Sequence, residues 1–528
     1  MVISKLSVFF LLLSLVTISI GKPLPNYHTA SHPKYTEKPT SKHFPVSHPP
    51  KNIFHSKPPT NVKSTDKKPK SNSKFDHVLL ISIDGLHKVD VDRFTKSKPK
   101  STLAKILKNS VYFTNVSDVW PTDSFPGLMS QLTGGHPKTT GVWYDNSWDG
   151  TYFKPGSKCK GTPGFNVLWD ESLDVNQKVT NTTVNEDLLP LRRNSQGKCV
   201  KVQPWEYLRV NTVFEVAKKH SLTTAWVDKL PAYSIVNGPS GKGVDDFWGP
   251  EIASIDKKDV KAVKQYDNNH TVAILNWING KSVNGKPFKV PNLFGGNFQT
   301  VSVAQKSPAG GYKDAKATPS DLLEGAFEYI DGILSKFLNE LEKKNLLDDT
   351  IIIISAKHGQ SPINRKLLHR IDDSNLTSVV GADKINQLTD DDVALFWLKD
   401  HSNAGAAAKA LEAKKKSLGI NTIYEGASLK SQFGCDPAKD TRCPDIAIKV
   451  EPGVIYSLST AKIAEHGGFN EDDFHVPIIV FNPKIKGSVN CEKFETTSIA
   501  PFILSALGLN EKELEAVVKE NTPTLPVF

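Results

Sequence analysis

Sulfur is scarce in this chain: 528 residues carry two methionines and five cysteines. None of the cysteines forms a Cys-x-x-Cys pair, so a zinc ribbon is not supported, while five thiols suit a chain that passes through an oxidising compartment. Cys435 and Cys443 can close a small loop, Cys159 can pair with Cys199, and Cys491 is then the odd thiol; spacing alone leaves the connectivity open. Long apolar runs are also missing after the first, Leu6 to Ile20, which follows Lys5. That run is shorter than the ~20 residues a membrane-spanning helix needs. It reads as a signal peptide over residues 1–21, with an uncleaved anchor as the other reading. The chain is therefore expected to be secreted, with no transmembrane partner.

Acidic residues are missing from two stretches. Between Lys22 and Lys74 only Glu37 and Asp66 stand against 11 lysines, 10 prolines and 5 histidines. Proline withholds a backbone donor, and so few apolar groups cannot offset the entropy of ordering the chain. Residues 22–74 thus read as a disordered basic stalk. Its excess positive charge, with Lys5, accounts for the whole formal net charge of +10, so residues 75–528 are close to neutral. The stalk is either a solvated linker or a charge-based adhesive for anionic cell-surface material. For a secreted chain nucleic acid is the poorer partner, and no nucleic-acid-binding module is expected. The second stretch, Thr271 to Lys313, contains no Asp, Glu or His.

What remains, residues 75–528, is long enough for one large α/β domain or a core with an insertion. Strands are expected over Phe75–Ile83, Thr223–Val227, Ile351–Ser355 and Val476–Phe481, each a short apolar run. Helices are expected over Ser101–Ser110 and after Ser320, where Leu322, Ala326, Ile330, Ile333, Phe337 and Leu341 recur at helical spacing. Helix followed by continuous apolar strand argues for an α/β fold, a mostly parallel sheet covered by helices on both faces. Ligands of such sheets bind at the carboxyl ends of the strands. Asp84-Gly85 and Lys357-His358-Gly359 follow expected strands, and His466-Gly467-Gly468 precedes one. With the hydroxyl in the turn Pro121–Gly127 they suggest a metal-assisted nucleophile. Sequons begin at Asn115, Asn181, Asn269 and Asn375.

The motif order resembles the alkaline phosphatase superfamily, and most closely its nucleotide pyrophosphatase/phosphodiesterase branch. VLLISIDG resembles the first strand with its metal-binding Asp84, and WPTDSFPGLMSQLTGGHPKTTGV the nucleophile segment, with Ser124 at the nucleophile position. SAKHGQ and AEHGGFNEDDFHVPIIVFNP resemble the segments holding metal ligands, here His358 and His466. The anion-stabilising asparagine falls on Asn146, although GVWYDN is one residue longer than the family's loop. The resemblance implies a secreted hydrolase of phosphate esters or phosphodiesters, acting on a phosphorylated small molecule. Ser124 would be its nucleophile; Asp84, Ser124, His358 and His466 would bind metal.

Two departures bear on the metal. Lys357 stands where the family has an Asp ligand, and the acid-free stretch, read as NFQTVSVAQKSPAGG, falls where the second zinc site takes an Asp and a His. One divalent ion, zinc, is therefore expected rather than two. Asn146 and Lys357 would stabilise the anionic oxygens, and Asp445, Asp472 or Asp473 could substitute as ligands. The alternatives are a single-metal sulfatase-like hydrolase, a catalytically degenerate ligand-binding relative and a surface-attachment protein. Formylglycine-dependent sulfatase chemistry is not expected, because Phe-Pro-Gly follows Ser124 rather than Pro-x-Arg. Lys229 or Lys242 could grip an anion, Gly238–Gly243 reads as a loop, and His136 and His369 as structural or exposed rather than catalytic.

Overall fold

Four consecutive isoleucines, Ile351–Ile354, are each at most 1 % exposed, and side chains that alternate across a strand need apolar cover on both faces. They form the centre of an eight-stranded sheet in a computed structural model that describes residues 74–175, 183–250, 256 and 258–528. The signal segment, the basic stalk except Lys74 and the sequon at Asn181 lie outside the described residues.

In chain order the strands are β1 His77–Ile83, β2 Ser110–Ser117, β3 Thr224–Val227, β4 Asp246–Trp248, β5 Leu293–Phe298, β6 Thr350–Ser355, β7 His475–Phe481 and β8 Ser488–Glu495. Across the sheet they run β8-β2-β7-β6-β1-β5-β3-β4. Every adjacent pair is parallel except those of β7, which opposes both β6 and β2. The sheet is thus mostly parallel, as expected. Gly295 on β5 has a steric reason: a Cβ there would lie 2.0 Å from the Leu80 carbonyl oxygen of β1.

Helices Val260–Ile278, Thr300–Lys306 and Asp321–Lys343 pack together as one group, and Ser124–Thr133, Val213–Lys219 and Ile499–Ala506 as another. Ser320 caps the longest of these, its hydroxyl accepting from the Leu323 amide at 3.2 Å. The helix after Ser101 is shorter than expected, Thr102–Lys108, because Ser101 is its cap and Ser110 already opens β2.

Residues 385–450 add an insertion that hydrophobic patterning did not reveal. Its strands lie in the order Ile385–Asp390, Val393–Leu398, Ile446–Val450, Ile420–Glu425, all antiparallel, over a separate apolar cluster containing Phe396, Leu411 and Ile448. Cys159 pairs with Cys199 and Cys435 with Cys443, leaving Cys491 free and exposed. Among the described residues no helix is long and apolar enough to cross a membrane.

Candidate active site

Four parallel strands deliver polar residues from their carboxyl ends to one place. Asp84 follows β1, Asp228 and Lys229 follow β3, Gln299 follows β5, and Lys357 and His358 follow β6. Ser124 opens the facing helix, which Asp123 caps by accepting the Phe125 amide at 2.9 Å. Gly127 lets that helix approach: a Cβ on it would sit 1.9 Å from the Lys357 carbonyl oxygen. The chain thereby holds Ser124 against the end of β6.

Ser124 Oγ lies 3.2 Å from His358 Nε2 and 3.1 Å from Lys229 Nζ. His358 Nδ1 lies 2.7 Å from the Gly359 carbonyl oxygen, to which it can only donate, so Nε2 is left with its lone pair toward the serine. Burial lowers the His358 pKa to about 3, outweighing Asp84 and the Gly359 carbonyl, so the ring is neutral. His466 stacks on it and is pushed well below the usual value, by burial and then by His358 and Lys306. Burial alone would raise the Asp84 carboxyl, yet Lys357, His358 and Lys229 hold it below the usual range. Lys229 stays charged: burial opposes its ammonium, but Asp84, Asp123 and Asp228 raise it.

These groups line a cavity of about 390 Å3 that also takes in Trp169, Tyr233, Lys306 and Glu465. Asp84, Ser124, His358 and His466 all reach it. Lys357 does not line it: fully buried, its Nζ lies behind the wall, 3.5 Å from Asp84 Oδ1 and 3.8 Å from Asp228 Oδ1. Lys357 is therefore not placed for the direct contact with an anion expected of it, whereas Lys229 lines the cavity. Asn146 also requires correction. Its Oδ1 accepts from Gln387 Nε2 at 3.2 Å, and the neighbouring Asp145 lines the cavity instead, because successive side chains of an extended segment take opposite faces. Burial, then Asp123, raises the Asp145 carboxyl well above its ordinary value.

The substitute ligands stand elsewhere. Asp445 accepts from the Leu398 amide and His401 in the insertion, Asp472 accepts from the Ile363 amide, and Asp473 is buried beside Asp392; none lines the cavity. Lys242 is exposed in the turns of 238–243. Sequence reasoning missed Lys306, whose Nζ lies 2.8 Å from His466 Nδ1 and 2.9 Å from Glu465 Oε2. Its position inside the acid-free stretch was the available signal.

The donors do not fit the divalent ion that the resemblance implies. Asp84, Ser124 and His358 converge, but Lys357 faces the same Asp84 oxygen and Lys229 the same serine oxygen. An ion among those donors would meet each ammonium at contact range, where every pair of unit charges costs about 4 kcal/mol. Among the described residues no group of three or more His, Cys, Asp or Glu is arranged to hold a metal.

A family model described as type I phosphodiesterase / nucleotide pyrophosphatase matches residues 78–470. Among solved structures the chain is similar to murine ectonucleotide pyrophosphatase/phosphodiesterase 5, with a TM-score of 0.54 and 15 % identity over 82 % of this chain and 96 % of that one. An inactive variant of the murine protein in complex with AMP gives a TM-score of 0.54 and 15 % identity over 83 % and 96 %. These likenesses identify the fold as alkaline-phosphatase-like. No curated protein matches the sequence.

Proposed function

The chain belongs to the type I phosphodiesterase / nucleotide pyrophosphatase family, and on that premise we propose that it hydrolyses phosphate esters or phosphodiesters outside the cell, with Ser124 as nucleophile. One observation carries the reading: at the cavity wall the Ser124 hydroxyl touches a neutral imidazole on one side and an ammonium group on the other. His358 Nε2 takes the serine proton as Oγ attacks phosphorus, and the arriving anion raises the proton affinity of the ring. Lys229 faces the developing charge on the phosphoryl oxygens. The Asp145 carboxyl, kept protonated by burial, donates a hydrogen bond where the family's asparagine would. The leaving oxygen departs on the side opposite Ser124 and takes its proton from water. Water then cleaves the phosphoserine, giving its proton to the medium and returning Ser124 with the one His358 holds.

The murine relative is recorded with AMP, so nucleotide phosphodiesters are the first substrates to assay. Ser124→Ala should cost several orders of magnitude in turnover and little stability. Equal activity of wild type and Ser124→Ala would overturn the assignment. A second reading, binding without turnover, is favoured by the acidic residues Asp123, Asp145 and Asp391 in the cavity wall. A wild type that binds but never hydrolyses would select it.

A further inference from the structure

Besides Lys229, two further lysines stand at this site on elements where the family resemblance places metal ligands. Lys357 replaces an aspartate ligand outright. Lys306 ends the Thr300–Lys306 helix, inside the stretch that has lost every Asp, Glu and His. We propose that Lys357 and Lys306 are built-in cations standing in for the two metal ions, so that the pocket keeps its fold and charge balance with no metal bound.

Charge counting supports the exchange at both positions. An aspartate ligand with its divalent ion contributes one net positive charge, and so does a lysine that replaces them. At the first position Lys357 Nζ faces Asp84 Oδ1 at 3.5 Å and Asp228 Oδ1 at 3.8 Å, with no water-accessible surface. Neither Lys357 Nζ nor Asp84 Oδ1 has a hydrogen bond. Burial lowers the Lys357 pKa, and the Asp228 and Asp84 carboxylates beside the ammonium oppose that shift. At the second position Lys306 Nζ meets His466 Nδ1 at 2.8 Å. Glu465, which accepts from Lys306, is matched separately by Lys462 at 2.5 Å and leaves the count unchanged. Gln299 and Val303, on the cavity side of the same segment, offer no anionic or imidazole ligand.

The inference takes from the proposed function only the kind of ligand the pocket receives, and its test does not use turnover. The full chain, purified without a metal-affinity column, is analysed for metals by mass spectrometry and melted with EDTA or with zinc. Substoichiometric metal and a melting temperature unmoved by EDTA are expected. Lys357→Asp restores a carboxylate beside Asp84 and His358, and zinc should then raise its melting temperature by about 2 °C or more. One or more zinc ions retained per wild-type chain, or a wild type that EDTA destabilises, overturns the proposal; so does a folded Lys357→Asp that takes up no zinc. If that variant does not fold, the wild-type measurements decide alone. Metal-free wild type that turns over no phosphoester would defeat the hydrolase reading and leave this one standing.

Discussion

The imidazoles of His358 and His466 stack face to face, with 3.8 Å between ring centroids and 21° between their planes. Burial keeps both neutral, His358 with a pKa of about 3 and His466 well below its ordinary value. In the unfolded chain each takes a proton near pH 6.5. Between those values the unfolded state binds more protons, so stability is complete above pH 6.5 and falls as pH drops toward 3. For His358 the loss is up to roughly 5 kcal/mol. Urea unfolding across this range checks it; His358→Gln should flatten the slope and abolish turnover.

Lys229 Nζ at 3.1 Å from Ser124 Oγ is the ammonium placed to meet the reacting phosphoryl group. Lys229→Met should lower kcat by about a hundredfold or more, the range for losing one preorganised charge. Lys242→Met, exposed and outside the cavity, should leave turnover unchanged. Steady-state kinetics on a chromogenic phosphodiester distinguish the two.

Gly127 is the point where the nucleophile helix meets the end of β6. Gly127→Ala forces a methyl into a space 1.9 Å from the Lys357 carbonyl oxygen, and that backbone cannot yield without moving His358. About 1–3 kcal/mol of stability should be lost. Turnover of the folded fraction should fall as the Ser124–His358 contact opens. Chemical denaturation and kcat on the same preparation measure both.

His136 behaves oppositely to His358. Burial opposes its charge, but Glu495 at 3.1 Å and Glu520 at 2.5 Å raise its pKa to about 9. Its contribution is fully present below pH 6.5 and lost as pH rises through 9. The ring is a third exposed, so screening reduces the effect to about 1 kcal/mol. Thermal melts at pH 6 and pH 9.5 should differ in wild type and converge in His136→Gln.

Apolar patterning alone located the strand ends. Apolar runs such as Ile351–Ile354 can satisfy their side chains only inside a two-faced sheet, so the residues that follow them, Asp84 and His358, had to emerge at its edge. Periodicity likewise marked the helix after Ser320, and motif order marked Ser124 and His466. Local patterns carry no information about what two distant side chains do when they meet. The contact of Lys306 with His466, 160 residues apart, exists only because β5 and the segment before β7 end at the same cavity. The same is true of Lys229 beside Ser124 and of Lys357 sealed behind Asp84. The cavity is reached by Asp145 rather than Asn146, because a single step along an extended segment reverses the face a side chain takes. The charge states belong to the tertiary structure as well: only packing sets how far each histidine is from water, and that distance decides whether it holds a proton.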